Sequence, residues 1–112
     1  VLWNISYYKN KYGKEPARDW LFSLRDSVGR SVILIRLKRI EQGNFGDCKS
    51  LGDGVNELRI SFGPGYRLYF AIDANNALII LLIGGDKSSQ GRDIEKAKKY
   101  WKESREKTIL DR

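Results

Sequence analysis

The run ALIILLI, residues 77 to 83, constrains the fold of this chain more than any other stretch. Successive strand residues point to opposite faces, so a half-exposed strand alternates apolar with polar side chains. This run does not alternate, and it predicts a central strand covered on both faces. It is far shorter than the roughly 18 apolar residues that span a bilayer, so no membrane partner is expected.

The rest of the chain supplies covers and neighbours for that strand. LWNISYY, residues 2 to 8, is aromatic and β-branched and predicts a first strand. Pro16 suits the first position of a helix whose stripe is Ala17, Trp20, Leu21, Leu24 and Val28. Gly29 is expected to break or bend the chain before a second helix. There Val32, Ile33, Leu37 and Ile40 face inward, while Arg30, Arg36, Lys38 and Arg39 line the outside; Gly43 closes it. NFGDCKSLGDG, residues 44 to 54, reads as a loop. A hairpin follows, from Val55 to Ser61, through a turn at FGPG, to Tyr66 through Asp73. After a turn at 74 to 76 comes the central strand, which Gly84-Gly85 is expected to end. A last helix, about 89 to 107, buries Ile94, Ala97 and Trp101 and can pair Glu95 with Lys99 and Glu103 with Lys107. The order β-α-α-β-β-β-α predicts a single α+β domain over residues 1–112: a small antiparallel sheet packed against two N-terminal helices, plus a C-terminal helix.

What is missing narrows the chemistry. The 112 residues include no histidine, which excludes a histidine general base, a Ser-His-Asp triad and any histidine-ligated metal. Cys48 is the one cysteine, so there is no internal disulfide or cysteine zinc site, and a reducing compartment is expected. No metal or other cofactor is expected. VLWNISYYKN has no basic-then-apolar signal pattern, and a cytoplasmic location follows as the expectation. The formal net charge of +7 suits a polyanion, such as nucleic acid, the ribosome or an acidic partner, or else a merely soluble basic surface.

Parity then assigns side chains within the hairpin. In NELRISFGPGYRLYF, Glu57 and Arg59 share one face of their strand, and Arg67 and Tyr69 the opposing face of the next. Antiparallel pairing puts all four on one side of the sheet. The helices are expected to cover only the other side, leaving this face open, basic and partly aromatic. It either meets solvent, with Glu57 paired to Arg59 or Arg67, or it binds phosphate, for which an arginine's planar fork is suited and beside which a tyrosine can stack a base. GGDKSSQGRDI adds Lys87, two serines and Arg92 near a helix N-terminus, where backbone N–H groups favour anions, but its glycine spacing is not that of a phosphate-binding loop. Ser88 or Ser89 also suits a plain helix cap.

LGDGVNELRISFGPGYRLYF followed by LLIGGDKSSQGRDIEKAKKYW resembles the RelE/ParE toxin superfamily, nearest to the HigB-like addiction module killer protein group. The resemblance runs from the first strand to Trp101 and implies the small RelE-like α+β fold. It implies the toxin of a type II toxin–antitoxin pair, neutralised by a helix-turn-helix, HigA-like antitoxin that alone contacts DNA. Most such toxins cleave mRNA on the ribosome without a metal; ParE-like members instead inhibit DNA gyrase by binding, which is the alternative here. Arg67 in GYR matches the arginine that contacts the scissile phosphate, Arg59 a basic position on the preceding strand, and Lys87 the neighbourhood of a second arginine. RelE's hairpin lysines and C-terminal tyrosine have no counterpart, because Val55, Glu57 and Gln90-Gly91-Arg92-Asp93 stand there. On this reading Arg67 and Arg59 hold the phosphate. Glu57, Lys49 or Lys87 is the base, Lys87 or Tyr69 the acid, and Lys49, Tyr69 and Arg92 are the RNA-binding residues.

Overall fold

The structure, a computed structural model, describes residues 2–110, with side chains as far as residue 106. The expected Glu103–Lys107 pair therefore lies outside the described residues. The elements are β1 (Asn4–Tyr7), α1 (Pro16–Ser23), α2 (Ser27–Glu41), β2 (Cys48–Ser50), β3 (Val55–Ile60), β4 (Tyr66–Asp73), β5 (Leu78–Asp86) and α3 (Gln90–Leu110). Short 3-10 turns at Ala74–Asn76 and Lys87–Ser89 flank β5.

The five strands form one sheet in the order β1-β5-β4-β3-β2. ALIILLI is thus central, as its lack of alternation demands. The sheet is mixed rather than antiparallel, since β1 runs parallel to β5. The chain can make that connection because α1, α2 and the hairpin intervene between the two strands, giving the long crossover that parallel pairing requires. The 44 to 54 segment is not all loop: Cys48–Ser50 pairs with Asn56–Leu58 as an edge strand.

Both faces of the sheet are covered, each by its own core. On one, Leu58, Ile60, Leu68, Phe70, Ile79 and Leu81 pack against Ala17 and Leu21 of α1 and Ile33, Leu37 and Ile40 of α2. On the other, Val55, Tyr69, Ala71, Leu82 and Ile83 pack under Ala97, with Ile94 and Trp101 of α3 partly buried against them. The α3 stripe expected from the sequence is the second cover. It closes the sheet face that helical cover on one side alone would leave open.

Local details explain the boundaries. The break between the first two helices falls at 24–26, where Asp26 caps α2 by accepting from the Gly29 N–H at 2.9 Å. Gly29 sits inside α2 because a Cβ there would come within 2.7 Å of the Tyr66 ring. Val28, displaced from the stripe, is 60% exposed. Gly43 does end the helix, at φ +89° with its N–H on the Ile40 carbonyl oxygen at 2.8 Å. Gly84 and Gly85 do not end β5. They lie within it, Gly84 under the Trp20 ring and Gly85 under Asp93, where a Cβ would collide in either case. A register shift opposite Tyr69/Phe70 leaves Leu82 as the extra residue, so that Leu82 and Ile83 both reach the α3 core.

Candidate functional site

The hairpin register sets the site. Arg59 lies directly opposite Arg67, and Glu57 opposite Tyr69. Lys49 of β2 opposes Glu57, while Gly85 and Ile83 of β5 oppose Arg67 and Tyr69. Cross-strand partners share a face, so Glu57, Tyr69, Arg59 and Arg67 occupy one side of the sheet, as parity predicted, and Lys49, expected in a loop, joins them there. It is the α3 side, and the first turn of α3 lies on it.

That cover changes the character of the face. Tyr69 is fully buried and Glu57 is 1% exposed. Tyr69 therefore cannot offer its ring to a base, and Glu57 cannot meet a substrate hydroxyl while α3 lies over it. Both expectations rested on an open face. Gln90, the first residue of α3, donates from Nε2 to Glu57 Oε2 at 2.7 Å. Glu57 Oε2 is also 4.0 Å from Arg67 Nε. A carboxylate this deep requires such compensation, since an unpaired buried charge costs several kcal/mol.

Arg67 is held on several sides. Its Nη1 donates to the carbonyl oxygens of Gly65 and Tyr66, each at 3.1 Å. Its side chain is 14% exposed, and the buried Nε has no hydrogen-bond partner among the described residues. Lys87 stands beside it. A Cβ added to Gly65 would be 3.5 Å from both Arg67 Nη1 and Lys87 Cβ. Tyr69 Oη is also buried and meets no hydrogen-bond geometry among the described residues, with Glu57 opposite it on the ladder. Burial first, then the Glu57 and Asp93 carboxylates, push its pKa well above the ordinary tyrosine range, so the phenol stays protonated at neutral pH.

The remaining candidates lie at the rim. Arg59 points its Nη2 and Nε at Asp47 Oδ1, at 2.7 and 3.1 Å, with both side chains about half exposed. Lys49, Lys87 and Arg92 are exposed. Lys87 belongs to a 3-10 turn capped by Asp86, whose Oδ1 accepts from the Ser88 N–H at 2.8 Å; Ser89 takes the other half of the capping box through the Asp86 N–H. The cap is thus Asp86 rather than either serine: Ser89 completes the capping box, and the Ser88 hydroxyl donates to Asp86 Oδ1. Ser89 Oγ also donates to Asp93 Oδ2 at 2.5 Å.

Gln90, Asp93 and Asp47 are the site residues that sequence reasoning missed. Gln90 and Asp93 extend the α3 stripe of Ile94, Ala97 and Trp101 by one turn, so helical spacing carried a signal for them. Asp47 sits in an irregular stretch that carries none. Among the described residues no group of three or more acidic or cysteine side chains could hold a metal ion, and no helix is long and apolar enough to cross a membrane.

Comparison with known proteins places the chain. No solved structure matches it. A Haemophilus influenzae protein, described only as an uncharacterized protein, is 51% identical over 79 residues, covering 70% of this chain and 79% of that one. The family model "Phage derived protein Gp49-like" matches residues 19–102, which run from α1 through all of the candidate site to the middle of α3. The chain therefore belongs to the Gp49-like family of phage-derived proteins, a toxin–antitoxin-related family whose members are generally the toxins.

Proposed function

We propose that this chain is the toxin of a toxin–antitoxin pair and acts as a metal-free endoribonuclease on ribosome-bound mRNA. The observation that carries the reading is the Arg67 guanidinium, fixed beside Lys87 with Arg59 directly across the ladder. Gp49-like toxins are usually regarded as endoribonucleases, which supports it. RNA cleavage without a metal requires positive groups around a pentacoordinate phosphorane, and preorganised donors are the largest single contribution to such catalysis. Arg67 is preorganised by two carbonyl oxygens and by Glu57. Its Nη2 makes no hydrogen bond among the described residues and is the atom offered to phosphate.

Glu57 then acts as the carboxylate that orients Arg67, because Gln90 and α3 enclose it. Proton transfer falls to Lys87, the exposed group beside Arg67. Arg59, Lys49 and Arg92 anchor the RNA strand electrostatically. A site this poor in groups that titrate near neutrality makes a slow nuclease alone, and the ribosome supplies the alignment of the mRNA. The partner that restrains the toxin is a helix-turn-helix antitoxin, and the pair works in the cytoplasm.

Induced expression in a bacterial host tests the proposal. The native chain arrests growth, and Arg67→Ala restores it while still accumulating as folded protein. Arrest that persists in Arg67→Ala, with a DNA-damage response and intact mRNA, would point to gyrase instead.

A further inference from the structure

An unfilled surface lies on the other face of the sheet from Arg59 and Arg67. Between α2 and β1 runs a groove of about 750 Å³, lined by Ile5 and Tyr7 of β1 and by Leu34 and Ile35 of α2, with Lys38 and Arg39 at its rim. Leu34 and Ile35 are 36% and 53% exposed, on a helix whose inner face is already satisfied by Ile33, Leu37 and Ile40.

The groove follows an open strand edge. Among the described residues β1 ends the sheet and pairs only with β5. Asn4 and Tyr8 donate their N–H groups to β5-side carbonyl oxygens, at 2.8 and 2.9 Å, so the even-numbered residues face β5. The odd-numbered residues face outward. Trp3 spends its N–H on the Glu41 carbonyl oxygen at the end of α2, at 2.9 Å. Among the described residues the N–H and C=O groups of Ile5 and Tyr7 remain as an unpaired edge alongside the apolar floor. Proteins ordinarily blunt such an edge with proline, inward charge or a covering element. Residues 4–7, NISY, carry no proline and no charge.

We infer that an extended segment of a partner protein, apolar on one side and acidic on the other, adds to β1 as a sixth strand and seats its apolar side chains against Leu34 and Ile35. Main-chain hydrogen bonds to Ile5 and Tyr7 supply affinity, and alternate side chains in the groove supply specificity. The charge requirement comes from Lys38 and Arg39, opposed at the groove only by Glu41, on a chain of net charge +7. The identity of the partner as the antitoxin rests on the toxin reading above; the geometry of the groove does not. The surface is separate from Arg67, so on this arrangement the partner binds without contacting the candidate catalytic groups.

The test is amide hydrogen exchange on the free chain and on its complex with the antitoxin encoded beside it, together with Ile35→Asp and the Lys38→Glu/Arg39→Glu pair. The expected result is fast exchange at Ile5 and Tyr7 in the free chain and protection in the complex. Ile35→Asp is expected to weaken the complex about 30-fold or more, as for a central apolar anchor, while growth arrest is unchanged. The charge-reversed pair is expected to slow association. A complex whose new protection lies on α3 or at Arg67, or free-chain amides at Ile5 and Tyr7 that are already slow, overturns the groove assignment alone. Absence of any complex overturns the partner and the toxin reading together.

Discussion

Replacing Gly84 with alanine drives a methyl group into the six-membered ring of Trp20, because an ideal Cβ there collides with Trp20 Cε3 and Cζ3. Gly84 is buried in β5 and Trp20 is partly buried against the α1/α2 core, so the methyl fits only if the indole shifts out of its packing. Overpacking of this kind costs about 1–3 kcal/mol. The cost is specific to the tryptophan. In a Trp20→Leu background the ring atoms that Cβ meets are gone, and the same alanine should cost less than about 1 kcal/mol, giving a coupling of about 1–2 kcal/mol. Urea unfolding of the four variants, followed by tyrosine and far-UV signals with equal slopes, measures this cycle. Equal costs of Gly84→Ala in the two backgrounds would refute the claim that Gly84 exists to admit Trp20.

Three further outcomes follow from the other face and the α2 cap. Gln90→Ala removes the hydrogen bond to the buried Glu57 carboxylate and should lower stability by about 1.5–3 kcal/mol in the same assay, against near-neutrality if Glu57 were solvated. Tyr69→Phe removes a buried hydroxyl that meets no hydrogen-bond geometry among the described residues and should raise stability by about 1 kcal/mol; a loss would mean that the hydroxyl donates to the Glu57 carboxylate facing it across the ladder. Asp26 accepts from the Gly29 N–H and the Tyr66 hydroxyl, which hold its carboxyl below its ordinary value of 3.8. A depressed folded-state pKa contributes stability that is complete above the unfolded value and is lost as pH falls through the folded one. Asp26→Asn should therefore flatten the acid limb of the stability curve below about pH 4, and an unchanged limb would assign that limb to other groups.

Periodicity carried most of the element map, and its errors have physical causes. ALIILLI demanded cover on two faces, and the Ile94, Ala97, Trp101 stripe was available to provide the second. Treating the arginine face as open set aside what the central strand already required. Parity correctly put Glu57, Arg59, Arg67 and Tyr69 on one side of the sheet, and the register sets Arg59 opposite Arg67 and Glu57 opposite Tyr69. Parity says which residues share a face and nothing about what lies over it. Gly84-Gly85 reads locally as a strand end, yet these glycines serve contacts from Trp20, distant in sequence, and from Asp93 on the next helix. The direction of β1 was illegible because a four-residue strand pairs either way, and Cys48–Ser50 is too short for any pattern to register. The Arg59–Asp47 pair joins a strand to an irregular segment and had no spacing to reveal it.

The central claim is that Arg67 binds the scissile phosphate of ribosome-bound mRNA. Its most direct measurement is primer extension of mRNA from a translation reaction given the purified chain, with and without ribosomes, beside Arg67→Ala matched for folding and concentration. The account predicts discrete new 5′ ends that require ribosomes and disappear with Arg67→Ala. Intact mRNA in a reaction where the native chain still stops translation, or identical cleavage by Arg67→Ala, would contradict it.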